Sequence, residues 1–194
     1  MNGLKLNGQK IRKRTMAKNA GKIFEDSIKQ SIPNHVLLIR LNDSPQAFKQ
    51  SKLTRFTPKN PFDYVCFDTK SKTLFCLELK STSNKYMSFE DINIDEEQNK
   101  MIHKHQINGL LKVSAYSNVV AGFLLNFRLD DGELTYFMEI NKFQKMCESI
   151  NKKSFNIIDA VLYGAEKING FKKITRWYWD LDNFFESKCN DLTH

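Results

Sequence analysis

The apolar positions of this 194-residue chain follow two periodicities, one helical and one alternating. From residue 19 they recur at helical spacing. Ile23, Phe24, Ser27 and Ile28 share one face, and Pro33 stops the run. A first helix carrying Glu25 is predicted there. Residues 35–41 (H-V-L-L-I-R-L) read as a short strand. Residues 60–81 alternate as two short apolar strands around a polar turn. The acids that follow, Glu90, Asp91, Asp95, Glu96 and Glu97, read as a solvated loop. It leads into a helix over 96–116 with Ile102, Ile107, Leu110, Leu111 and Val113 as its apolar positions. Residues 118–128 predict a buried strand, and Asp130, Asp131 and Gly132 turn it back into a second strand over 133–140. Asn141 is placed to cap the next helix. A short helix over 157–165, an edge strand over 175–181 and a last helix over 182–187 complete the reading. The order helix, strand, strand, strand, helix, strand, strand predicts an α/β fold: a mixed central β-sheet flanked by helices.

The 60–81 hairpin carries charges where a packed strand should not tolerate them. Glu78 and Lys80 point to one face of the second strand, and Phe75, Leu77 and Leu79 to the other. A turn centred between Lys70 and Ser71 sets Asp63 directly opposite Glu78, with Cβ atoms roughly 5 Å apart. Two carboxylates and an ammonium then converge. Like charges this close are unfavourable unless a cation joins them, so the pattern points to a divalent metal site with a lysine beside it. The bland alternative is a surface hairpin in which Glu78 and Lys80 pair with each other.

Charge adds a partner class. The net charge is +8, and residues 1–30 hold eight Lys/Arg against two acids. A polyanion is the expected partner. Residues 1–18 are expected to form a flexible basic arm, with Lys10, Arg12, Lys13 and Arg14 on a nucleic-acid backbone. Residues 19–194 would form one domain. The 42–60 connection, longer than most, carries Lys49, Lys52, Arg55 and Lys59 and reads as a projecting basic loop that grips phosphates. The four cysteines show no CxxC spacing, which fits a reducing cytoplasm. The basic N-terminus has no apolar region behind it that would make it a secretory signal, and no apolar run reaches 18 residues, so no membrane partner is expected.

Four segments carry a family resemblance: N-A-G-K-I-F-E-D-S-I at 19–28, F-D-Y-V at 62–65, L-E-L-K-S-T at 77–82 and H-K-H-Q at 103–106. On them the chain resembles the PD-(D/E)xK nuclease superfamily, and within it the RecU-type Holliday junction resolvases of Gram-positive bacteria and their phages. The resemblance implies a restriction-endonuclease-like core and a homodimer cutting four-way DNA. It implies Asp63 and Glu78 as ligands of Mg²⁺, with Mn²⁺ as a substitute, and Lys80 as transition-state stabiliser. Gln106 matches a further position near the metal, and Glu25 the acidic residue of the first helix. Where the family has a threonine two residues before the aspartate, this chain has Pro61.

The function expected is therefore a Mg²⁺-dependent endodeoxyribonuclease of recombination and repair that resolves Holliday junctions in the cytoplasm, with host recombination proteins as possible partners. A restriction-type or repair endonuclease on the same core is the alternative within the class. A non-catalytic DNA-binding accessory protein is the alternative outside it. An RNA-processing factor shares the charge signature but would need an RNA module that the sequence lacks.

Overall fold

A computed structural model describes residues 20–41, 59–94 and 98–191. The basic arm and the loop residues Lys49, Lys52 and Arg55 lie outside the described residues; Lys59 lies within them and is exposed.

Helix α1 covers 20–31. It buries Ala20, Phe24, Ser27 and Ile28, while Ile23, expected on the same face, is 58 % exposed. The buried stripe is narrower than the spacing suggested and runs along the i, i+4 row. Strands β1 (Val36–Arg40), β2 (Tyr64–Asp68) and β3 (Thr73–Thr82) follow. The short β4 (Met87–Ser88) precedes α2 (Lys104–Ser114). Then come β5 (Val119–Leu129), β6 (Gly132–Glu139) and α3 (Ile140–Ser149). The chain ends through β7 (Ser154–Phe155), α4 (Ile157–Leu162), β8 (Glu166–Ile168), β9 (Gly170–Lys173), β10 (Arg176–Trp179) and α5 (Leu181–Asp191).

The central sheet has the order β1-β2-β3-β5-β6-β8. Only β3 and β5 pair in parallel, as their separation by a helix requires; the other neighbours are antiparallel. One face packs on α1 and α5 through Phe24, Ile28, Phe75, Leu77, Leu124, Phe184 and Phe185. The other packs on α2 and α3 through Ile107, Leu110, Phe123, Phe127, Phe143 and Met146. This is the α/β arrangement expected, a mixed sheet flanked by helices.

Three expectations are corrected. The helix α2 begins at Lys104, not near 96, because Phe89 and Ile102 form a bridge that draws 98–103 back along the β4 segment. The cap of α3 is Glu139, since the helix already begins at Ile140; Asn141 sits in its first turn. The aromatic strand near 175–181 does not edge the central sheet. It pairs with β9 in a separate hairpin, and β8 takes the edge instead.

One close approach fixes the site's position. A Cβ at Gly109 on α2 would run into Pro61 Cβ and meet Pro61 Cα at 3.0 Å. The missing side chain lets α2 press against the segment two residues before Asp63. Gly109→Ala should gain about 1 kcal/mol of helix propensity but lose more to overpacking against rigid backbone. A net destabilisation of roughly 1–2 kcal/mol is expected, read as a lower urea midpoint at unchanged slope.

Candidate active site

The turn sets the site. Asp68 Oδ1 accepts the Lys70 N–H at 2.8 Å and Asp68 Oδ2 the Ser71 hydroxyl at 2.7 Å. Lys72 takes a left-handed φ of 61° to close the loop. The resulting register pairs Tyr64 with Leu77 and Asp68 with Thr73. Continued by one residue, it sets Asp63 opposite Glu78, as the centre of the turn predicted. The Asp63 N–H also reaches Leu77 O at 3.2 Å, so the ladder extends to it.

Glu78 is 3 % exposed. Lys80 Nζ lies 3.0 Å from Glu78 Oε1, and Gln106 Nε2 donates to the same oxygen. Asp63 Oδ2 accepts the Leu79 N–H at 2.9 Å. The two carboxyls are within hydrogen-bonding reach of each other. Burial is the main cause that pushes the Glu78 carboxyl up from the usual 4.5 to about 8; Asp63 adds to it and Lys80 opposes it. Burial also raises Asp63, against the pull of Leu79 N–H, Lys80 and Arg40. Two carboxyls this close form an oxygen donor set suited to a hard divalent cation. Among the described residues no group of three or more His, Cys, Asp or Glu side chains gathers in this way, so a cation here would keep several waters.

The helix α2 contributes Gln106, whose two ends do different work. Its Oε1 accepts the His103 N–H at 3.0 Å and caps the helix, while its Nε2 faces Glu78. For its oxygen to join a cation, the amide would have to turn over. The N-terminus of α2 is clamped by Glu90, which sequence reasoning placed in solvent. Glu90 is 7 % exposed. Its Oε1 lies 2.9 Å from His103 Nδ1, and its Oε2 accepts the Lys104 N–H at 2.6 Å. Burial works against its charge, yet these hydrogen bonds together hold its carboxyl below the usual range. Nothing local in the sequence tied Glu90 to a helix start fourteen residues on. His105 stacks on His103 at 5.6 Å. Burial, then His103, Lys59 and Lys80, lower its pKa and favour the neutral ring.

Glu25 is not brought into contact with the carboxylate pair. It lies behind the sheet, where Arg40 reaches its Oε2 at 3.2 Å and the Tyr64 hydroxyl donates to it at 3.5 Å. Arg40 acts electrostatically on Asp63 as well, so it links the two acids. A single arginine ending the apolar run of β1 was its only trace in the sequence.

Comparison with known proteins supplies kinship. No family model matches the chain. It is 31 % identical over 177 residues to the SPbeta prophage-derived uncharacterized protein YotM of Bacillus subtilis, covering 84 % of each. The chain belongs to the YotM family. Among solved structures, this YotM-family chain has a likeness to Hjc of Archaeoglobus fulgidus, a Holliday junction resolvase from an archaeal hyperthermophile. The likeness covers 75 % of this chain and 93 % of that one, at 12 % identity and a TM-score of 0.42.

Two outcomes follow. A carboxyl near 8 when folded and near 4.5 when unfolded means that the native state binds the extra proton between those values. Stability is then fully present below about pH 4.5 and is lost as pH rises towards 8, by up to about 1.4 kcal/mol per pH unit. Without divalent metal, Glu78→Gln should remove this slope and melt above the wild type at pH 8. Glu90→Gln should cost about 1–2 kcal/mol by weakening the hydrogen bonds at the start of α2, seen in chemical denaturation and in faster amide exchange at residues 104–107.

Proposed function

We propose that this chain is a Mg²⁺-dependent endodeoxyribonuclease that resolves four-way DNA junctions by paired symmetric hydrolysis of phosphodiesters. The observation that carries the nuclease reading is the convergence of Asp63, Glu78 and Lys80, enforced by the β2–β3 register and backed by Gln106. The four-way substrate and the homodimer come from the resemblance to RecU-type resolvases. The cysteine pattern supports a cytoplasmic location, the host's if the protein is encoded by a phage, with recombination proteins as possible further partners.

In this reading Asp63 and Glu78 hold the cation, and its oxygen chemistry suits Mg²⁺ with Mn²⁺ as a substitute. A bound Mg²⁺ lowers the pKa of its water and offsets charge on the leaving oxygen. The remaining work belongs to the chain. Leu79 N–H fixes one Asp63 oxygen, and Gln106 fixes the Glu78 rotamer, so both carboxylates are preorganised. Lys80, largely buried, keeps its ammonium beside Glu78 at 3.0 Å, where it can face the charge that builds on the phosphate. Arg40, held by Glu25, steadies the ends of β1 and β2 and adds positive potential near Asp63. Lys59, the loop residue on the described side of the site, adds to the field at His105.

The test is cleavage of a labelled four-way junction, with linear duplex as competitor, with and without Mg²⁺. Paired nicks in the junction that need Mg²⁺ are expected. Asp63→Asn and Glu78→Gln should each lower the rate by at least about a hundredfold. Cutting of linear duplex at a fixed sequence would keep the site and replace the resolvase with a restriction-type enzyme. Tight binding without cutting in either Mg²⁺ or Mn²⁺ would leave an accessory DNA-binding protein.

A further inference from the structure

The β9–β10 hairpin has two unlike faces. Its register pairs Phe171 with Tyr178 and Lys173 with Arg176, so these four share one face. Trp177 and Trp179 take the other face, stacked at 5.4 Å and 11°. That second face is anchored. Trp179 is buried; its Nε1 donates to Ser27 Oγ at 3.1 Å and its backbone N–H to Ser31 Oγ at 2.9 Å, both on α1. Trp177 lies over Gly132 in the β5–β6 turn.

The first face is not accounted for by packing. Phe171 stacks on Tyr178 at 5.7 Å and 16°, yet is 62 % exposed. Lys173 stands directly opposite Arg176, both exposed, and neither makes an ion pair with a described residue. Like charges paired across strands are unfavourable on their own. At the tip, Ile174 is 90 % exposed with a φ of 59°. A β-branched residue there is an outlier, and its exposure leaves it almost no packing among the described residues.

The hairpin stands apart from the carboxylate pair. The β5–β6 turn under Trp177 lies beyond the Thr82–Phe127 pair, several residues past the level of Glu78 and Lys80, and the hairpin packs on α1, across the sheet from their side chains. Arg176 also lines a hollow with Ile23 and Asp26, which flank Glu25 on α1.

We propose that the β9–β10 hairpin is a second DNA-contact element: Lys173 and Arg176 hold backbone phosphates, and Ile174, with the Phe171–Tyr178 stack, engages bases at an opened or distorted step. This rests on the nuclease reading for its substrate and names where that substrate is held outside the carboxylate pair. Two cations on one face match the spaced charge of a phosphate backbone. A flat aromatic pair beside them offers a stacking platform. An aliphatic tip is the kind of wedge that enters a base step. An anionic membrane surface would also attract cations around an aliphatic tip, but it gives the stacked pair no base to stack on.

The test uses the full chain in EDTA, with a fluorescent four-way junction whose centre is unpaired, followed by anisotropy across a salt series. The Lys173→Ala/Arg176→Ala variant should shrink the slope of log affinity against log salt by about 1.8 and weaken binding about 50-fold near 0.1 M salt. Ile174→Asn should weaken binding about fivefold at unchanged slope. Asparagine accepts the left-handed turn, so its melting temperature should stay at or above that of the wild type, which separates lost contact from lost fold. Wild-type affinity and slope in both variants would overturn the proposal, even if the junction is cut and the nuclease reading stands. Loss of binding to phosphatidylserine vesicles, with DNA binding intact, would overturn it in favour of a membrane surface. Hairpin-dependent binding without cutting in Mg²⁺ would keep the hairpin and remove the nuclease. Failure of the wild type to bind DNA would remove both.

Discussion

Two carboxylates facing each other across a strand pair are the constraint on which the structure turns. The β2–β3 register leaves Asp63 and Glu78 no other place to go, and the turn closed by Asp68 sets that register. A one-residue slip would send Glu78 and Lys80 to the opposite face, into the layer of Phe75 and Leu77. The neighbouring elements then serve the pair. The parallel β5 buries the strand that carries Glu78, and α2 delivers Gln106 to it. Gly109 lets that helix come close enough. A core chosen for stability alone would not keep two acids with raised pKa values side by side. Raised carboxyl pKa values in a buried cluster are a feature that functional sites often share.

The parts legible in the sequence were those governed by local rules. The hairpin could be read because alternation and a polar turn together determine both faces and the register. Asp63 opposite Glu78 followed from the centre of the turn alone. The buried strand at 119–129 and its return were readable for the same reason. What escaped depended on distant partners. The start of α2 moved because Phe89 bridges Ile102, thirteen residues away, a pairing that no local pattern announces. Glu90 looked solvated because it stands in an acidic run. Its burial is tolerable only because a histidine and a helix N-terminus more than ten residues on satisfy both its oxygens.

The first helix shows a different limit. Helical spacing placed Glu25 on a helix before the hairpin, but it could not say which face of the sheet that helix covers. The structure packs α1 on the Phe75 and Leu77 face, away from Glu78. Glu25 therefore meets Arg40 and Tyr64. Its link to Asp63 is electrostatic, through a guanidinium that both acids share. Choosing a side requires knowing the whole layer order, which a strand's own residues do not encode. The aromatic run near 177 failed for the same reason. Its alternation marks a strand but not its partner, and a short basic strand immediately before it captured it.

The kinship with YotM narrows ancestry without supplying chemistry, so the chemical argument rests on the pair. Burial, with Asp63 beside it, favours the protonated form of Glu78, which removes one of two like charges. A cation bound there would favour the ionised form of Glu78, so its binding would be linked to pH. Lys80 and Gln106 already direct two donors at the same oxygen. They lessen the cost of ionising Glu78 and hold its geometry steady while the proton leaves. Burial of the site raises that cost, and by excluding water it also strengthens whatever interaction the freed carboxylates make. In the proposed reading, the same burial that destabilises the pair alone would strengthen its hold on a hard cation.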